Sequence, residues 1–411
     1  MKKSLLLFLC GTLSLCACRK DPVPEPPSKD ADLTGESVAF EPFLEPSWKK
    51  VFVLNEGGMG ANNATLDFLR VQEGQYVTGA FRKMNPDVGG GLGDVGNDIA
   101  VQGDEVWMVI NNSGIVEVVS AKDETEIAAI SVPTPRSIAF DEDYAYVTSW
   151  AGAFAQYDGY TLVDSKNPKG QVYRIDLKTK KVAGTVEVGY QPEGIACYDG
   201  RLFVANSGGI SSQLPPAYSY DNTLSIIDTK TFREIGTQEV EVNLKNVYSD
   251  GHGTIYVTTF GNYGDVHSGL FALPAADPSR VRRVGEGSVF REDVMHVSCS
   301  FLSGDTVYCI GTEDEFNWGV AHTYYVWSAT VSDAGSGEGK LSFYPLELTG
   351  TPYGMAVLQS GTGGDLHYLL VGDAGDYFNP GTVSCYQLDF NRNERIWSVT
   401  AGVCPGHFAL Y

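Results

Sequence analysis

A unit of about 50 residues repeats along positions 51–411 of this chain. Each unit has a strand that ends in a small apolar pair, a second strand of alternating apolar residues, a third strand, and a more polar fourth strand. Turn-forming Gly, Asp, Asn and Ser separate the strands. Four short strands repeated at this period are typical of a β-propeller blade. The repeat therefore predicts an all-β fold.

Seven segments align as the innermost strands of these units. They cover 97–100, 136–139, 193–196, 245–248, 295–298, 353–356 and 406–409. Seven second strands cover 51–55, 106–111, 144–148, 202–206, 255–259, 307–311 and 367–371. The first unit has no inner strand before it, and the last inner strand has no second strand after it. We therefore predict a seven-bladed β-propeller closed by the C-terminal strand, which removes the exposed sheet edges. A β-sandwich array is the alternative fold.

The N-terminus resembles a bacterial lipoprotein signal. Lys2 and Lys3 precede an apolar stretch too short to span a bilayer, and Leu15-Cys16-Ala17-Cys18 resembles a lipobox. We predict a lipoprotein signal peptide at 1–17, lipidation of Cys18, and an anchor with a disordered, Pro-rich tether at 18–49. The propeller is then expected at 50–411. A secretory peptide without a lipid is the alternative.

The composition narrows the classes of function. The formal net charge of -22 disfavours nucleic acid as a partner and leaves the lipid anchor as the only expected membrane contact. The sequence contains no His-Glu-x-x-His, Gly-x-Ser-x-Gly or P-loop motif, so no catalytic residue is assigned and an enzyme is not predicted. No CxxC pair is present, so no metal site is predicted. Positions 91–96 match G-x-G-x-x-G, but they are expected to form a turn.

Two cysteines lie at equal distance from a predicted hairpin turn. Cys299 and Cys309 are each five positions from Gly304, and Ser303-Gly304-Asp305 has turn composition. If the hairpin is symmetrical about Gly304, the two residues face each other and a cross-strand disulfide is possible in an oxidising compartment. Two buried, reduced thiols are the alternative.

The loops between second and third strands are long and aromatic, whereas the turns between first and second strands are short. Loops held by a rigid scaffold commonly carry function, and Tyr and Trp give large contact areas with a polar tip. We therefore expect a ligand-binding face, with aromatic side chains stacking on the ligand and polar ones bonding its amides. The candidate ligand-binding residues are Arg136, Trp150, Asn206, Tyr218, Tyr220, Tyr263, Trp318, Tyr353, Tyr377 and His407.

Several repeat motifs resemble a known family. Tyr-Val-Thr at 146–148, Phe-Val-Ala-Asn at 203–206 and Ile-Asp-Leu-Lys-Thr at 175–179 resemble the repeats of YVTN/YncE-like propellers. The opening 51–66, the lipobox and the C-terminal closure are together similar to the BtuG-like surface lipoproteins, which capture cobalamin. The resemblance implies an outer-membrane lipoprotein at the cell surface that binds cobalamin as a ligand, not as a cofactor. It also implies delivery of the vitamin to a TonB-dependent outer-membrane transporter. The alternative is an adhesion module that binds a glycan or a protein.

Overall fold

The structure is a computed structural model of the chain. It describes residues 33, 35–38, 48–152, 156–158, 161–164, 169–208, 220–285, 296–312, 322–333, 338–359, 367–388 and 394–411. Seven antiparallel sheets of four or five strands form the blades of a ring, which confirms the predicted seven-bladed β-propeller. Inner strands of neighbouring blades pack against one another around the axis.

The first three blades contain the following elements. Blade 1 has β1 (Glu36–Ser37), β2 (Lys50–Asn55), β3 (Thr65–Arg70) and β4 (Gln75–Val77), and is followed by helix α1 (Ala80–Met84). Blade 2 has β5 (Gly96–Gln102), β6 (Glu105–Ile110), β7 (Ile115–Ser120) and β8 (Glu126–Ser131). Blade 3 begins with β9 (Pro135–Phe140) and β10 (Tyr144–Ser149); a separate hairpin of β11 (Gln156–Asp158) and β12 (Thr161–Asp164) comes next, and β13 (Gln171–Asp176) and β14 (Lys181–Glu187) complete the blade.

The remaining blades follow the same order. Blade 4 has β15 (Pro192–Tyr198), β16 (Arg201–Asn206), β17 (Thr223–Asp228) and β18 (Arg233–Glu239). Blade 5 has β19 (Leu244–Ser249), β20 (Thr254–Thr259), β21 (Gly269–Pro274) and β22 (Arg282–Arg283). Blade 6 has β23 (Cys299–Ser303), β24 (Thr306–Thr312), β25 (Tyr324–Asp333) and β26 (Glu338–Leu348). Blade 7 has β27 (Pro352–Gln359), β28 (His367–Asp373), β29 (Thr382–Leu388) and β30 (Arg395–Thr400), and the chain then forms β31 (Pro405–Leu410).

The C-terminal strand closes the ring as the sequence predicts. β31 pairs antiparallel with β2, so that Phe408 lies opposite Val53 and Leu410 lies opposite Val51. β31 is thereby the innermost strand of blade 1, whose strand order is β31, β2, β3, β4, β1.

The core lies between the blades. Successive side chains of a strand point to opposite faces of its sheet. Val51 and Val53 of β2 accordingly pack with blade 7, and Phe52 and Leu54 pack with blade 2. All four side chains are fully buried. This two-sided burial explains why the second strands of the repeat are almost continuously apolar.

Part of the segment expected to be a tether is bound to blade 1. β1 pairs antiparallel with β4 and adds a fifth strand to the outer edge of the sheet. Leu33 and Val38 on either side of it are buried, and the Val38 backbone N–H donates to the Gly74 carbonyl at 2.8 Å. Covering a sheet edge satisfies its free backbone groups. A strand of two residues is too short to give a periodic signal, so the sequence pattern did not reveal it.

One inner strand differs from its predicted position. Blade 6 begins its inner strand with β23 at Cys299, whereas the sequence predicted 295–298. Residues 296–298 instead form irregular backbone that crosses close to β24. A side chain at Gly311 would collide there with the His296 carbonyl oxygen. The other six inner strands contain the segments predicted for them.

Of the two alternatives for Cys299 and Cys309, the structure shows two separate thiols. The turn of the β23–β24 hairpin consists of Gly304 and Asp305, so Ser303 pairs with Thr306. The midpoint of the hairpin therefore lies between Gly304 and Asp305, not on Gly304. Cys299 therefore faces Ile310, and Cys309 faces Ser300. This offset of one residue places the two thiols on opposite faces of the sheet. Both are free and buried, as in the alternative considered above.

Two further features bear on the sequence analysis. Residues 91–95 form turns and β5 begins at Gly96, so the G-x-G-x-x-G match opens no helix. In the part of the chain that the structure describes, no helix is long and apolar enough to cross a membrane.

Candidate ligand-binding site

The two faces of the disc differ in their connections. Because the strands of each blade alternate in direction, loops between second and third strands share one face with the loops that enter the inner strands. We call this the loop face, and the opposite one the turn face. Among the described residues, five of the eight exposed large hydrophobic side chains lie in loops of the loop face, and the other three lie on outermost strands. The five are Met59, Tyr190, Tyr263, Tyr377 and Phe378.

A cavity of about 700 Å³ runs along the axis of the ring. We call it the central channel. Residues from the inner strands of all seven blades line it, among them Asn97, Arg136, Ile195, Asn246, Ser300, Tyr353 and His407. Each inner strand runs from the loop face to the turn face, so the first residues of these strands surround the mouth of the channel on the loop face.

The backbone bends sharply where the chain enters several inner strands. The residue immediately before the strand has a left-handed conformation in five blades, with positive φ angles at Val95, Thr134, Gln191, Asn243 and Cys404. L-residues other than glycine rarely adopt this region, and a β-branched residue such as Val95 is strained there. The bend turns the chain from the loop face into the channel. It fixes the direction of the side chains that follow.

Three charged side chains form a network at the channel mouth. Arg136 of β9 and Lys245 of β19 each lie 2.9 Å from the same carboxylate oxygen, Oε2 of Glu193 in β15. Burial opposes ionisation of Glu193, but the attraction of Arg136 and then of Lys245 outweighs it and lowers the pKa of this carboxyl. The two cations also attract other carboxyls of the channel, since both act on Glu56 and Lys245 acts on Asp98.

Aromatic rings accompany the two cations of this network. The Arg136 guanidinium carbon lies 4.4 Å from the centre of the Trp150 ring. The Lys245 ammonium lies 5.9 Å from the Phe260 ring. Both rings line the channel and present part of their surface to it. The cation–π geometry holds the rings beside the mouth of the channel, in the wall that a ligand would contact.

A second polar group of the channel pairs a carboxyl with a phenol. The Tyr353 hydroxyl donates a hydrogen bond to Oε2 of Glu56. Burial raises the pKa of Glu56, against the lowering effect of this hydrogen bond. Burial likewise raises the pKa of Asp98, which accepts bonds from the Ser137 hydroxyl at 2.5 Å and the Ile138 backbone N–H at 3.0 Å. These carboxyls are therefore bound to neighbouring blades within the channel.

His407 lies in the channel wall on β31. Burial, with the nearby positive charges of Lys245 and Arg136, lowers its pKa to about 3. The imidazole is therefore neutral at physiological pH and offers one donor and one acceptor nitrogen.

A second cavity of about 580 Å³ lies beside the channel, between the loops of blades 5, 6 and 7. We call it the off-axis pocket. Its wall is built mainly of aromatic rings and imidazoles, which come from Phe260, Tyr263, His267, His296, His322, Tyr324 and Tyr377. Phe260, Ser298 and Pro352 line both the pocket and the channel, so the two cavities share a wall.

The structure brings most of the described candidate residues to these two cavities. Arg136, Trp150, Tyr353 and His407 line the channel, whereas Tyr263 and Tyr377 line the off-axis pocket. The Tyr353 and Tyr377 rings are 5.8 Å apart, which links the two groups.

The other candidates are placed differently. The Tyr220 ring is 6.4 Å from the Tyr263 ring, at the edge of the pocket. Asn206 is fully buried in blade 4, where its amide donates to the hydroxyls of Thr223 and Ser225, so it lines neither cavity. Tyr218, Trp318 and the lipidation candidate Cys18 lie outside the described residues.

Several residues of the site were not among the sequence candidates. They are Glu56, Asp98, Glu193, Lys245, Phe260, His267, His296 and His322. One signal was present in the repeat. In blades 2 to 5 the second residue of the inner strand is polar; these residues are, in order, Asn97, Arg136, Glu193 and Lys245. Polar residues at the same position of successive repeats indicate a shared polar environment. The imidazoles carry no such signal, because they come from irregular loops.

Comparisons with known proteins bear on the fold. No family model matches the chain, and no curated protein matches it. Among solved structures, hydrazine synthase of Kuenenia stuttgartiensis is similar, with a TM-score of 0.55 and 17% sequence identity over 76% of this chain and 88% of that one. A likeness at this identity supports the propeller fold alone. Within the described residues, no cluster of three or more His, Cys, Asp or Glu side chains is placed to hold a metal ion.

Proposed function

We propose that this protein is a lipid-anchored binding protein of the outer membrane, exposed at the cell surface, that captures cobalamin on its loop face. In this proposal it passes the vitamin to a TonB-dependent transporter and catalyses no reaction. The observation that carries the binding role is the continuous surface formed by the channel mouth and the off-axis pocket. The choice of cobalamin rests on the resemblance of 51–66 and the lipobox to cobalamin-capturing lipoproteins.

The chemistry of this surface suits such a ligand. Cobalamin has a broad corrin ring, amides around its edge, and one phosphodiester. Trp150 and Phe260 offer aromatic area for the ring, and Tyr353 lines the same channel. Arg136 and Lys245 carry N–H donors that the phosphodiester oxygens can accept from, beside the carboxylate of Glu193 that both already contact. Each cavity is in the usual size range of small-molecule sites, roughly 300 to 1,000 Å³.

The polar groups of the channel favour binding over catalysis. Glu193 is held between two cations, and Glu56 is hydrogen-bonded by Tyr353. A general acid or base must be free to exchange a proton with a substrate. Here the carboxyls are committed to partners in neighbouring blades, which supports a rigid recognition surface.

Calorimetry with cyanocobalamin tests the proposal. The wild-type protein is expected to bind with a dissociation constant of about 1 μM or lower. Trp150→Ala should weaken binding by about tenfold or more, because it removes an aromatic contact and the ring that holds Arg136. Trp150→Phe should restore part of the affinity.

Ile235→Ala is the matched control for that substitution. Ile235 is 56% exposed on β18, at the outer rim of blade 4, and its loss should leave affinity unchanged. Folded protein that gives no heat with cyanocobalamin would refute the cobalamin proposal. Binding to a glycan array in that case would favour the adhesion alternative.

A separate experiment tests the anchor and the partner. Cys18→Ser should release the protein from the outer-membrane fraction, since it removes the proposed lipid acceptor. Purification of the wild-type protein from native outer membranes should bring with it a TonB-dependent transporter identified by mass spectrometry. Retention of the Cys18→Ser protein in the membrane would contradict lipid anchoring at this residue.

A further inference from the structure

One exposed apolar side chain stands at the mouth of the central channel. Met59, in the loop between β2 and β3, is 82% exposed. Of the eight exposed large hydrophobic side chains among the described residues, Met59 is the one that lines the channel. Apolar residues scattered singly over a surface are common and carry no function by themselves. The surroundings of Met59 therefore decide whether it is placed to contact a ligand.

The loop that carries Met59 is held at its base through Glu56. The Glu56 backbone N–H donates to the Cys404 carbonyl oxygen at 2.8 Å, and the Glu56 carbonyl oxygen accepts from the Gly96 N–H at 3.0 Å. The Tyr353 hydroxyl donates to the Glu56 carboxylate. Gly96 begins β5 of blade 2 and Tyr353 lies in β27 of blade 7, so the base of the loop is bonded to both neighbouring blades.

Asp94 holds the tip of the same loop. Its carboxylate accepts hydrogen bonds from the Gly60 backbone N–H at 2.9 Å and from the Asn62 backbone N–H at 3.4 Å. The Asn112 side-chain amide, from the loop after β6, donates to this carboxylate at 2.6 Å. The residue that follows Met59 is thus bonded to a carboxylate that blade 2 keeps in place.

The glycines on either side of Met59 are required by backbone conformation and by close packing. Gly57 and Gly60 have φ angles of 81° and 80°, a region that L side chains rarely adopt. A Cβ atom at Gly57 would also lie 2.6 Å from Oδ1 of Asn63. The same Oδ1 accepts from the Gly58 N–H at 2.8 Å. The loop is therefore a specific turn that presents Met59 in a defined direction.

Met59 adds an apolar group to one side of the channel mouth. In a ring of seven blades, blade 1 lies across the axis from blades 4 and 5, which carry Glu193 and Lys245 of the ion network. A thioether donates no hydrogen bond and is a weak acceptor, but it is polarizable and packs well on irregular apolar surfaces. A ligand that contacts both sides of the mouth therefore needs a polar part and an apolar part.

We propose that Met59 is an apolar contact for the ligand at the channel mouth, and that Asp94 is the positioning residue that holds it there. This inference deepens the proposed function and rests on it for the identity of the ligand. It requires a ligand with apolar groups at its edge. The corrin of cobalamin has methyl groups there beside its amides, whereas a glycan is covered by hydroxyl groups.

Calorimetry with cyanocobalamin tests the contact through two substitutions of similar size. Met59→Gln replaces the thioether by an amide and is expected to weaken binding by about tenfold, because the amide must lose its hydration to make the same contact. Met59→Leu keeps an apolar side chain and should retain the affinity within about threefold. Ile235→Gln is the matched control, since it exchanges an exposed apolar side chain for an amide at the outer rim of blade 4. It should bind as the wild-type protein does.

The role of Asp94 is tested by its dependence on Met59. Asp94→Ala should weaken binding by about fivefold, because the tip of the loop loses its acceptor and is no longer preorganised, and Asp94→Asn should restore part of the affinity. In a Met59→Gln background, Asp94→Ala should change the affinity by less than about twofold, since the contact that it positions is already lost. Asp228→Ala is the control, because it removes a similar acceptor for a backbone N–H in the β17–β18 turn on the turn face.

An oxidation footprint shows whether the ligand covers Met59 itself. Dilute hydrogen peroxide converts accessible methionine to its sulfoxide. Met59 should be oxidised ahead of Met108 and Met355, which are 0% and 3% exposed and serve as internal references. Saturating cyanocobalamin should slow the oxidation of Met59 by about fivefold or more without changing that of the two references, as measured by mass spectrometry of the peptides.

The outcomes distinguish failure of the inference from failure of the proposed function. Thermal unfolding first establishes that each variant is folded. If the wild-type protein binds cyanocobalamin but Met59→Gln binds it equally well, or the ligand leaves the oxidation of Met59 unchanged, the contact is refuted while cobalamin capture stands. An equal effect of Asp94→Ala in both backgrounds refutes the positioning role. If folded wild-type protein binds no cyanocobalamin, cobalamin capture is refuted and the inference that rests on it is overturned as well.

Discussion

The central channel and the off-axis pocket share a wall, yet their linings have opposite chemistry. The channel holds Glu56, Asp98, Arg136 and Lys245, whereas the described lining of the pocket carries no formal charge. The channel charges are paired with one another across blades 3, 4 and 5 or hydrogen-bonded to the next blade. The difference teaches that polar residues near the axis of this ring join blades together, whereas the off-axis pocket is lined mainly by aromatic rings and imidazoles that come from loops.

The largest expected effect follows from breaking the ion network of the channel. Glu193→Gln leaves Arg136 and Lys245 without their carboxylate, with side chains only 12% and 30% exposed. We expect the free energy of unfolding to fall by about 3 kcal/mol, because an uncompensated, largely buried charge is costly. Urea denaturation at neutral pH measures the loss.

Two variants sharpen this comparison. Glu187→Gln breaks the exposed pair with Lys169, whose charged atoms are 3.5 Å apart, and should cost about 1 kcal/mol or less. His267→Ala removes an exposed side chain of the off-axis pocket and should cost about 0.5 kcal/mol or less. If Glu193→Gln lowers the free energy of unfolding by no more than these two substitutions do, the ion network of the channel does not stabilise the fold. The comparison between the two cavities would then fail.

The scaffold was predictable because the blade repeat is a local pattern. Second strands such as β2 and β16 lie within one residue of their predicted bounds, since alternating apolar residues bounded by turn residues determine them. The wrong prediction of the inner strand of blade 6 has the same origin. Its sequence, Cys-Ser-Phe-Leu-Ser, lacks the small apolar ending of the other inner strands, and Val297 resembled their apolar anchor.

The site was predictable only in part because it joins residues that are distant in sequence. Selection by loop position included Arg136, Trp150, Tyr353 and His407, which line the channel, but it also included Asn206, whose amide is turned into blade 4. Which neighbour satisfies a buried polar group depends on packing between blades. The pairing of Glu193 with both Arg136 and Lys245 could not be read from a pattern within one repeat unit.

The response of the channel to pH is a smaller effect for each pH unit, although it accumulates as the pH falls. The pKa of His407 is lowered from 6.5 to about 3 by burial and by Lys245 and Arg136, so folding favours the neutral imidazole. As the pH falls from 6.5 toward 3, the unfolded chain binds a proton that the folded channel does not. This residue should thus remove about 1.4 kcal/mol of stability for each pH unit in that window.

The matched variants for the pH effect are His407→Gln and His252→Gln. His407→Gln should lose less stability than the wild-type protein between pH 6.5 and about 3, whereas His252→Gln, at an exposed turn, should follow the wild-type curve. Urea midpoints across that range measure the difference. Parallel curves for all three proteins would contradict this prediction, because they would mean that folding does not lower the pKa of His407.

The smallest expected effect concerns the thiols beside the channel. Burial raises the pKa of Cys299 to about 12, and Cys309 lies on the other face of the same hairpin. Neither thiol should react with iodoacetamide in the folded protein, and a reductant should shift the melting temperature by less than about 1 °C. Mass spectrometry before and after unfolding detects both results. A reductant-sensitive link between Cys299 and Cys309 would require the hairpin register to differ from the one described.

The pairing of β31 with β2 imposes an order on folding. During synthesis β2 emerges among the first of the described strands and β31 emerges after the others, so the sheet of blade 1 is completed only when β31 is available. Until then β2 presents unpaired backbone groups that can recruit another chain, and the channel lacks the wall that contains His407. A nascent or truncated chain without β31 is consequently prone to self-association and lacks one of the seven inner strands that form the channel wall.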